Sequence, residues 1–136
     1  MTFLELSKGV TENTISDVQI GIEFSKLSEE KQNYLVVAEM SVGIIDKVST
    51  DKIAEKIKTR YDLPFERYQY IVENCNRLNK ELVGFIHESI SNLALYFRVS
   101  SGEEMTPYIK DKINSDKDLL DYILEQEDYE TLEKLK

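Results

Sequence analysis

The side chains best suited to chemistry in this sequence are its one histidine and its one cysteine. His87 precedes Glu88, as in the helix of zinc proteases, but that motif needs a second histidine four residues on, where Ser91 stands. Cys75 lies more than three helical turns before His87, so the two cannot pair as nucleophile and base on one continuous helix. Neither residue predicts a catalytic centre.

Metal and phosphate sites are also not predicted. Asp116, Asp118 and Asp121 have the spacing that begins a calcium-binding EF-hand loop, but that loop needs glycine at the position of Asp121. The five glycines are scattered singly, so no glycine-rich loop can hold a phosphate group. We therefore expect a protein that is not an enzyme, with no cofactor and no bound metal.

One segment suggests nucleic-acid binding. Residues 47–80 carry eight basic and five acidic side chains, and they form the only net-positive stretch of the chain. The spacing of Ile53, Ala54 and Ile57, a turn before Pro64 and a helix from Phe65 resemble a helix-turn-helix in outline. The candidate DNA-binding side chains are Lys52, Lys56, Lys58, Arg60 and Arg67. A DNA-binding regulator that uses residues 50–70 is therefore one alternative function.

The leading hypothesis is a protein-interaction module. The net charge of −9 disfavours non-specific binding to nucleic acid or to anionic membranes and suits a basic protein partner, such as a nuclease or a transcription component. Homodimerisation is also expected. The candidate partner-binding residues are aromatic side chains near a long helix and acidic side chains near the C-terminus: Tyr68, Tyr70, Tyr96, Phe97, Asp118, Asp121 and Glu125.

The sequence also predicts where the protein resides. No apolar run approaches the 18 or so residues that a membrane span requires, and the N-terminus lacks the features of a signal peptide. A single cysteine cannot form an internal disulfide, which favours a reducing compartment. These features predict a cytoplasmic protein that does not interact with membranes.

A short stretch resembles a known class of proteins. Tyr70-Ile71, Cys75, Glu81-Leu82-Val83 and Ile86 resemble part of the late-transcription coactivators of T4-type phages, which are small acidic proteins that bind RNA polymerase. The spacing differs by a few residues, and the C-terminal tail by which those proteins bind the sliding clamp is not apparent. The resemblance implies a further alternative, a phage-type transcription accessory protein or assembly chaperone.

A long amphipathic helix is predicted to position these residues, running from Pro64 to about Val99. Its apolar stripe follows steps of three and four residues as far as Phe85 and resumes one residue out of phase at Ile86. Gly84 lies beside this change of phase, and glycine weakens a helix interior by about 1 kcal/mol. The pattern therefore predicts a central helix that bends or breaks near Gly84.

The other segments complete an all-α prediction, in which the expected helix starts are Thr14, Ser28, Ser49 or Thr50, and Thr106 followed by Pro107. We expect one domain over residues 1–136, built as a bundle of five to six helices around that central helix. Residues 1–13 are expected to form a loose arm, and residues 116–136 an acidic C-terminal helix or tail. Residues 14–26 fit either a helix or an alternating strand, and the helix is preferred because a single strand would have no partner.

Overall fold

The computed structural model describes all residues from Met1 to Lys136 and is entirely α-helical, which confirms the predicted fold class. It has nine helices, more than the five or six predicted, because several predicted segments are divided or newly helical. The helices are α1 (Phe3–Thr11), α2 (Asp17–Lys26), α3 (Glu29–Ile45), α4 (Thr50–Tyr61), α5 (Phe65–Glu73), α6 (Cys75–Ser100), α7 (Pro107–Asn114), α8 (Lys117–Glu125) and α9 (Tyr129–Lys134).

Two compact units make up the chain. The first contains Phe3–Val83, and the second contains Met1–Thr2 together with Gly84–Lys136. Helix α6 contributes residues to both units, since it is continuous through Val83 and Gly84. The two units are therefore described separately.

The N-terminal residues are helical rather than a loose arm. Phe3, Leu6 and Val10 recur at three- and four-residue spacing, so they share one face of α1, and all three are buried. Helix α1 packs mainly against α3. The expected arm was wrong because this short apolar repeat is sufficient for a helix once α3 covers it.

The segment that fitted either helix or strand is helix α2. The side chain of Ser16 accepts a hydrogen bond from the backbone N–H of Gln19, which satisfies one of the free donors at the helix start. Ile20 and Phe24, four residues apart, are buried on one face of the helix. The helical spacing therefore outweighs the strand-like alternation, and the cap is Ser16 rather than the expected Thr14.

Close packing at two glycines holds the helices of the Phe3–Val83 unit together. A Cβ atom on Gly9 would lie 2.0 Å from Cδ1 of Ile15, and one on Gly43 would lie 2.9 Å from Cδ1 of Ile53. Because Gly43 belongs to α3 and Ile53 to α4, the second contact joins two helices that pack on each other. The two isoleucine side chains occupy space that only glycine leaves open.

The predicted long helix is interrupted at Asn74, not near Gly84. The side-chain amide of Asn74 donates a 2.8 Å hydrogen bond to the backbone carbonyl of Tyr70, where it competes with the helical pattern. Asn74 has φ −109° and ends α5, and α6 begins at the next residue. Helix α6 is continuous through Gly84, and a Cβ there would meet no atom within 4 Å, so the helix does not break at Gly84 and no other backbone lies close to it.

The second unit has its own core, formed by the end of α6 and the three helices that follow. Helix α8 packs against both α7 and α9. Capping side chains begin each of these helices: Thr106 for α7, Asp116 for α8 and Asp128 for α9. The buried apolar members of this core are Leu95, Tyr96, Val99, Ile109, Ile113, Leu119, Ile123 and Leu135.

Candidate protein-interaction surface

A partly exposed apolar stripe on α6 is the most distinctive surface of the Gly84–Lys136 unit. We call Ile86, Ile90, Leu93 and Phe97 the α6 apolar face, because their spacing of four, three and four residues places them along one side of the helix. Ile90 is 54% exposed and Phe97 is 47% exposed, while Ile86 and Leu93 are half-buried. Leu93 packs against the edge of the core, while Leu95 and Val99, on a different side of α6, lie within it.

Charge is nearly absent from this part of the helix. Between Gly84 and Phe97, Glu88 is the only Asp, Glu, Lys or Arg residue, although such residues make up 32% of the whole chain. The other exposed positions beside the stripe are small or uncharged and include Ser91 and Ala94. Depletion of charge around exposed large apolar side chains distinguishes the centre of a protein interface from ordinary solvated surface.

Acidic residues lie close to one end of the α6 apolar face. The hydroxyl of Tyr96 donates a 2.9 Å hydrogen bond to Oδ2 of Asp128, at the start of α9. The Tyr96 ring is 5.6 Å from the Phe97 ring and 6.1 Å from that of Tyr122. The acidic junction between α8 and α9, which also carries Glu127, is thereby held against Tyr96, whose ring contacts that of Phe97.

These contacts change the pKa values of both partners. Burial, together with the hydrogen bond to Asp128, raises the pKa of Tyr96 to about 12. Hydrogen bonds from Thr131 and Tyr96 lower the pKa of Asp128 below its usual range. Tyr96 is therefore neutral and Asp128 is charged at neutral pH, which fixes the junction and keeps its acidic character.

The predicted partner-binding residues divide between surface and core. Tyr68 and Tyr96 are buried and Asp118 is half-buried, whereas Phe97, Tyr70, Asp121 and Glu125 are exposed. The exposed group again divides between the units, since Tyr70 belongs to α5 and its hydroxyl accepts a hydrogen bond from Arg77. Of the predicted partner-binding residues, only Phe97, Asp121 and Glu125 are both exposed and part of the Gly84–Lys136 unit.

Ile90 is the important surface residue that sequence reasoning did not select. It belongs to the apolar series that resumes at Ile86, but it is not among the residues predicted to bind a partner. The signal that could have identified it is the second periodic series on the same helix, which includes Leu95 and Val99. Two series on different sides of one helix indicate that the helix has more apolar surface than its own unit covers.

Most of the predicted nucleic-acid-binding side chains make contacts within the Phe3–Val83 unit. Arg60 pairs with Glu39 and Asp17, Arg67 donates to Asn33, and the Lys58 ammonium lies over the rings of Phe65 and Tyr68. Lys52 and Lys56 are exposed. Helices α4 and α5 do form the outline of two helices joined by a short turn. Three of the five candidate cations, however, already contact side chains of their own unit: Lys58, Arg60 and Arg67.

A buried polar cluster connects α3 and α4. Glu39 Oε1 accepts hydrogen bonds from Arg60 Nη1 and from the hydroxyl of Tyr61, the latter at 3.1 Å. The side chains of Glu39 and Arg60 are only 9% and 8% exposed. Burial and the Glu39 carboxylate both raise the pKa of Tyr61 above its ordinary value. Glu39 Oε2 has no hydrogen-bond partner.

The residues first considered for chemistry are not assembled into a reactive group. His87 is exposed and Cys75 is half-buried, and both belong to α6. Asp116 caps α8, where it accepts hydrogen bonds from Leu119 N–H and from the side-chain amide of Asn92. No three His, Cys, Asp or Glu side chains are grouped so that they could hold a metal ion.

Neither a membrane-spanning helix nor a similar known protein is found for this chain. No helix has both the length and the apolar character needed to cross a membrane. No protein-family model, curated protein or solved structure matches this chain.

Proposed function

We propose that this protein is a non-enzymatic interaction module that binds a basic, amphipathic segment of a protein partner through the α6 apolar face. The observation that carries the proposal is the exposure of Ile90 and Phe97 on a stretch of helix that has a single charged residue. A helix placed along this face would bury both side chains, and large apolar anchors of this kind supply most of the affinity in helix-in-groove complexes.

Charge supports a basic partner over an acidic one. The Gly84–Lys136 unit contains twelve acidic and six basic residues, and one of the acidic residues, Asp128, is hydrogen-bonded to Tyr96, the neighbour of Phe97 in the chain. Lysine or arginine residues that flank an apolar stripe on the partner would complement this potential and increase the association rate. A second copy of this chain would bring the same negative charge to the interface, so self-association is disfavoured.

The proposal can be tested with a defined probe. The probe is an amphipathic helical peptide of leucine and lysine, and the comparison peptide has the same lysines with serine in place of leucine. Isothermal titration calorimetry should show binding of the leucine peptide, weakened about tenfold or more in each of the variants Ile90→Ser and Phe97→Ser, since loss of an interface anchor costs more than about 1 kcal/mol. The serine peptide should bind only weakly, and only at low salt.

Val18→Ser is the matched control. Val18 is a 76% exposed apolar residue on α2, outside the Gly84–Lys136 unit, so its replacement should leave binding unchanged. Equal affinity for both peptides would show that only net charge is recognised, and equal weakening by the control would show that the effect is not specific to the α6 apolar face. Sedimentation of the free protein as a dimer that Ile90→Ser dissociates would instead assign the face to a second copy.

A further inference from the structure

A pocket in the Phe3–Val83 unit has a chemistry that the proposed function does not use. It lies between the end of α1, the second half of α3 and the start of α4, and its volume is about 310 Å³. This volume is at the lower end of the range for small-molecule sites. Part of its wall is apolar and is formed by Val10, Val42 and Ile53.

The polar lining of the pocket contains both signs of charge. Glu39 and Asp46 line it from α3 and its C-terminal cap, and Lys52 and Lys56 line it from α4. One face of α3 forms this wall, because its lining residues stand at positions i, i+3, i+4 and i+7 of the helix and its cap: Glu39, Val42, Gly43 and Asp46. The two lysines are four residues apart and likewise share one face of α4.

The second observation is the unpartnered oxygen of Glu39. Arg60 and Tyr61 both donate to Oε1, whereas Oε2 of the same buried carboxylate accepts no hydrogen bond. A buried carboxylate oxygen without a donor is costly, and most such groups in folded proteins have a partner. A ligand that brings an N–H donor to Glu39 would remove this cost.

We propose that the pocket binds a small zwitterion with a branched apolar side chain, of the type of a free aliphatic amino acid. The ammonium group would donate to Glu39 Oε2, and the carboxylate would lie against Lys52 and Lys56. The side chain would contact Val10, Val42 and Ile53. A ligand with only a positive charge would be repelled by the two lysines. A ligand with only a negative charge would leave Glu39 Oε2 without a hydrogen-bond donor.

The probe is L-leucine, followed through the amide resonances of ¹⁵N-labelled protein. Saturable shifts are expected at Gly43, Asp46 and Lys52. Isoamylamine and 4-methylpentanoate each lack one of leucine's two charged groups, and each should bind about tenfold more weakly or worse, as expected for loss of one charge-assisted interaction. Shifts of equal size and midpoint with 4-methylpentanoate would overturn the proposal, because they would show that the lysines simply bind anions.

Three variants locate the site. Lys56→Ala should weaken leucine binding about tenfold, and the matched control Lys80→Ala, an exposed lysine of α6 outside the pocket, should leave it unchanged. Glu39→Gln should abolish saturable binding while a thermal melt confirms that the variant folds. If Glu39→Gln does not fold, the affinity of Lys56→Ala for leucine is the deciding measurement. Unchanged affinity in Lys56→Ala, or no saturable shift with leucine in the unaltered protein, would refute the site.

Discussion

Replacement of Arg60 by methionine should destabilise the protein strongly, because Arg60 is the cationic partner of a buried carboxylate. Methionine keeps an unbranched apolar stem like that of arginine but lacks the charged guanidinium group. Glu39 would then remain 9% exposed with a single donor, the Tyr61 hydroxyl at 3.1 Å. Sequence alone assigned Arg60 to a DNA-binding surface, where its replacement would cost almost no stability.

The size of the effect follows from the burial of both groups. Removal of one partner from a buried ion pair costs about 3–5 kcal/mol, because the remaining charge is uncompensated. The second pair of Arg60, with the exposed carboxylate of Asp17, adds at most about 1 kcal/mol. We therefore expect a loss of about 3–5 kcal/mol in the free energy of unfolding and a fall in Tm of roughly 10 °C or more.

Urea denaturation followed by circular dichroism measures this loss, with Arg77→Met as the control. Arg77 forms an exposed pair with Glu81 four residues later on α6, so its replacement should cost less than about 0.5 kcal/mol. The double variant Glu39→Leu/Arg60→Met should recover most of the loss, since an apolar pair of similar volume leaves no buried charge. A loss below about 1 kcal/mol for Arg60→Met, or no recovery in the double variant, would contradict the structural role of the pair.

The remaining predictions concern two glycines and one tyrosine. Gly9→Ala should destabilise the protein by about 1–3 kcal/mol, because the added Cβ would lie 2.0 Å from Cδ1 of Ile15. Gly84→Ala should stabilise it by about 1 kcal/mol, because the added Cβ would meet open space on a helix. Both values come from the urea midpoint, and an equal effect at the two positions would contradict the packing at Gly9. The raised pKa of Tyr96 stabilises the fold below pH 10.0, and this contribution should disappear as pH rises through about 12. Tyr96→Phe should reduce the alkaline loss of stability, measured by urea denaturation at a series of pH values; an unchanged pH dependence would argue against the hydrogen bond to Asp128.

Much of the fold is predictable from local signals in the sequence. Ser28 and Ser49 were expected to begin helices, and each side chain caps one in the structure. Thr106 followed by Pro107 begins α7 as expected. These predictions succeeded because a cap satisfies backbone groups within three residues and depends little on the rest of the fold. The all-α class follows from the same signals.

The position of the helix interruption required information that apolar spacing does not contain. Gly84 is the weaker helix former, but α6 remains helical there, with its Cβ position unobstructed. Asn74 interrupts the helix because its side chain bonds the carbonyl of Tyr70, and asparagine forms such bonds in many helices without ending them. Only the surrounding packing decides which of the two residues marks the break.

The candidate surface was only partly predictable, for a similar reason. Spacing identifies Ile86, Ile90, Leu93 and Phe97 as one side of a helix, but it does not show whether another element covers that side. The helices α7 to α9 provide enough apolar surface to cover one side of α6, and they cover Leu95 and Val99. Phe97 was selected for its aromatic character, whereas Ile90 is an aliphatic member of the same series and was not selected.

The distribution of charge argues for a protein partner over duplex DNA. A DNA-binding surface needs cations that point outward, yet Lys58, Arg60 and Arg67 lie against rings or polar groups of their own unit. The two exposed cations, Lys52 and Lys56, border a pocket that also contains two carboxylates, which reduces the positive potential there. On the α6 apolar face, by contrast, about half of the surface of Ile90 and of Phe97 remains exposed, at 54% and 47%. Its exposed apolar area is favourably buried only by a partner, which makes it the stronger basis for a function.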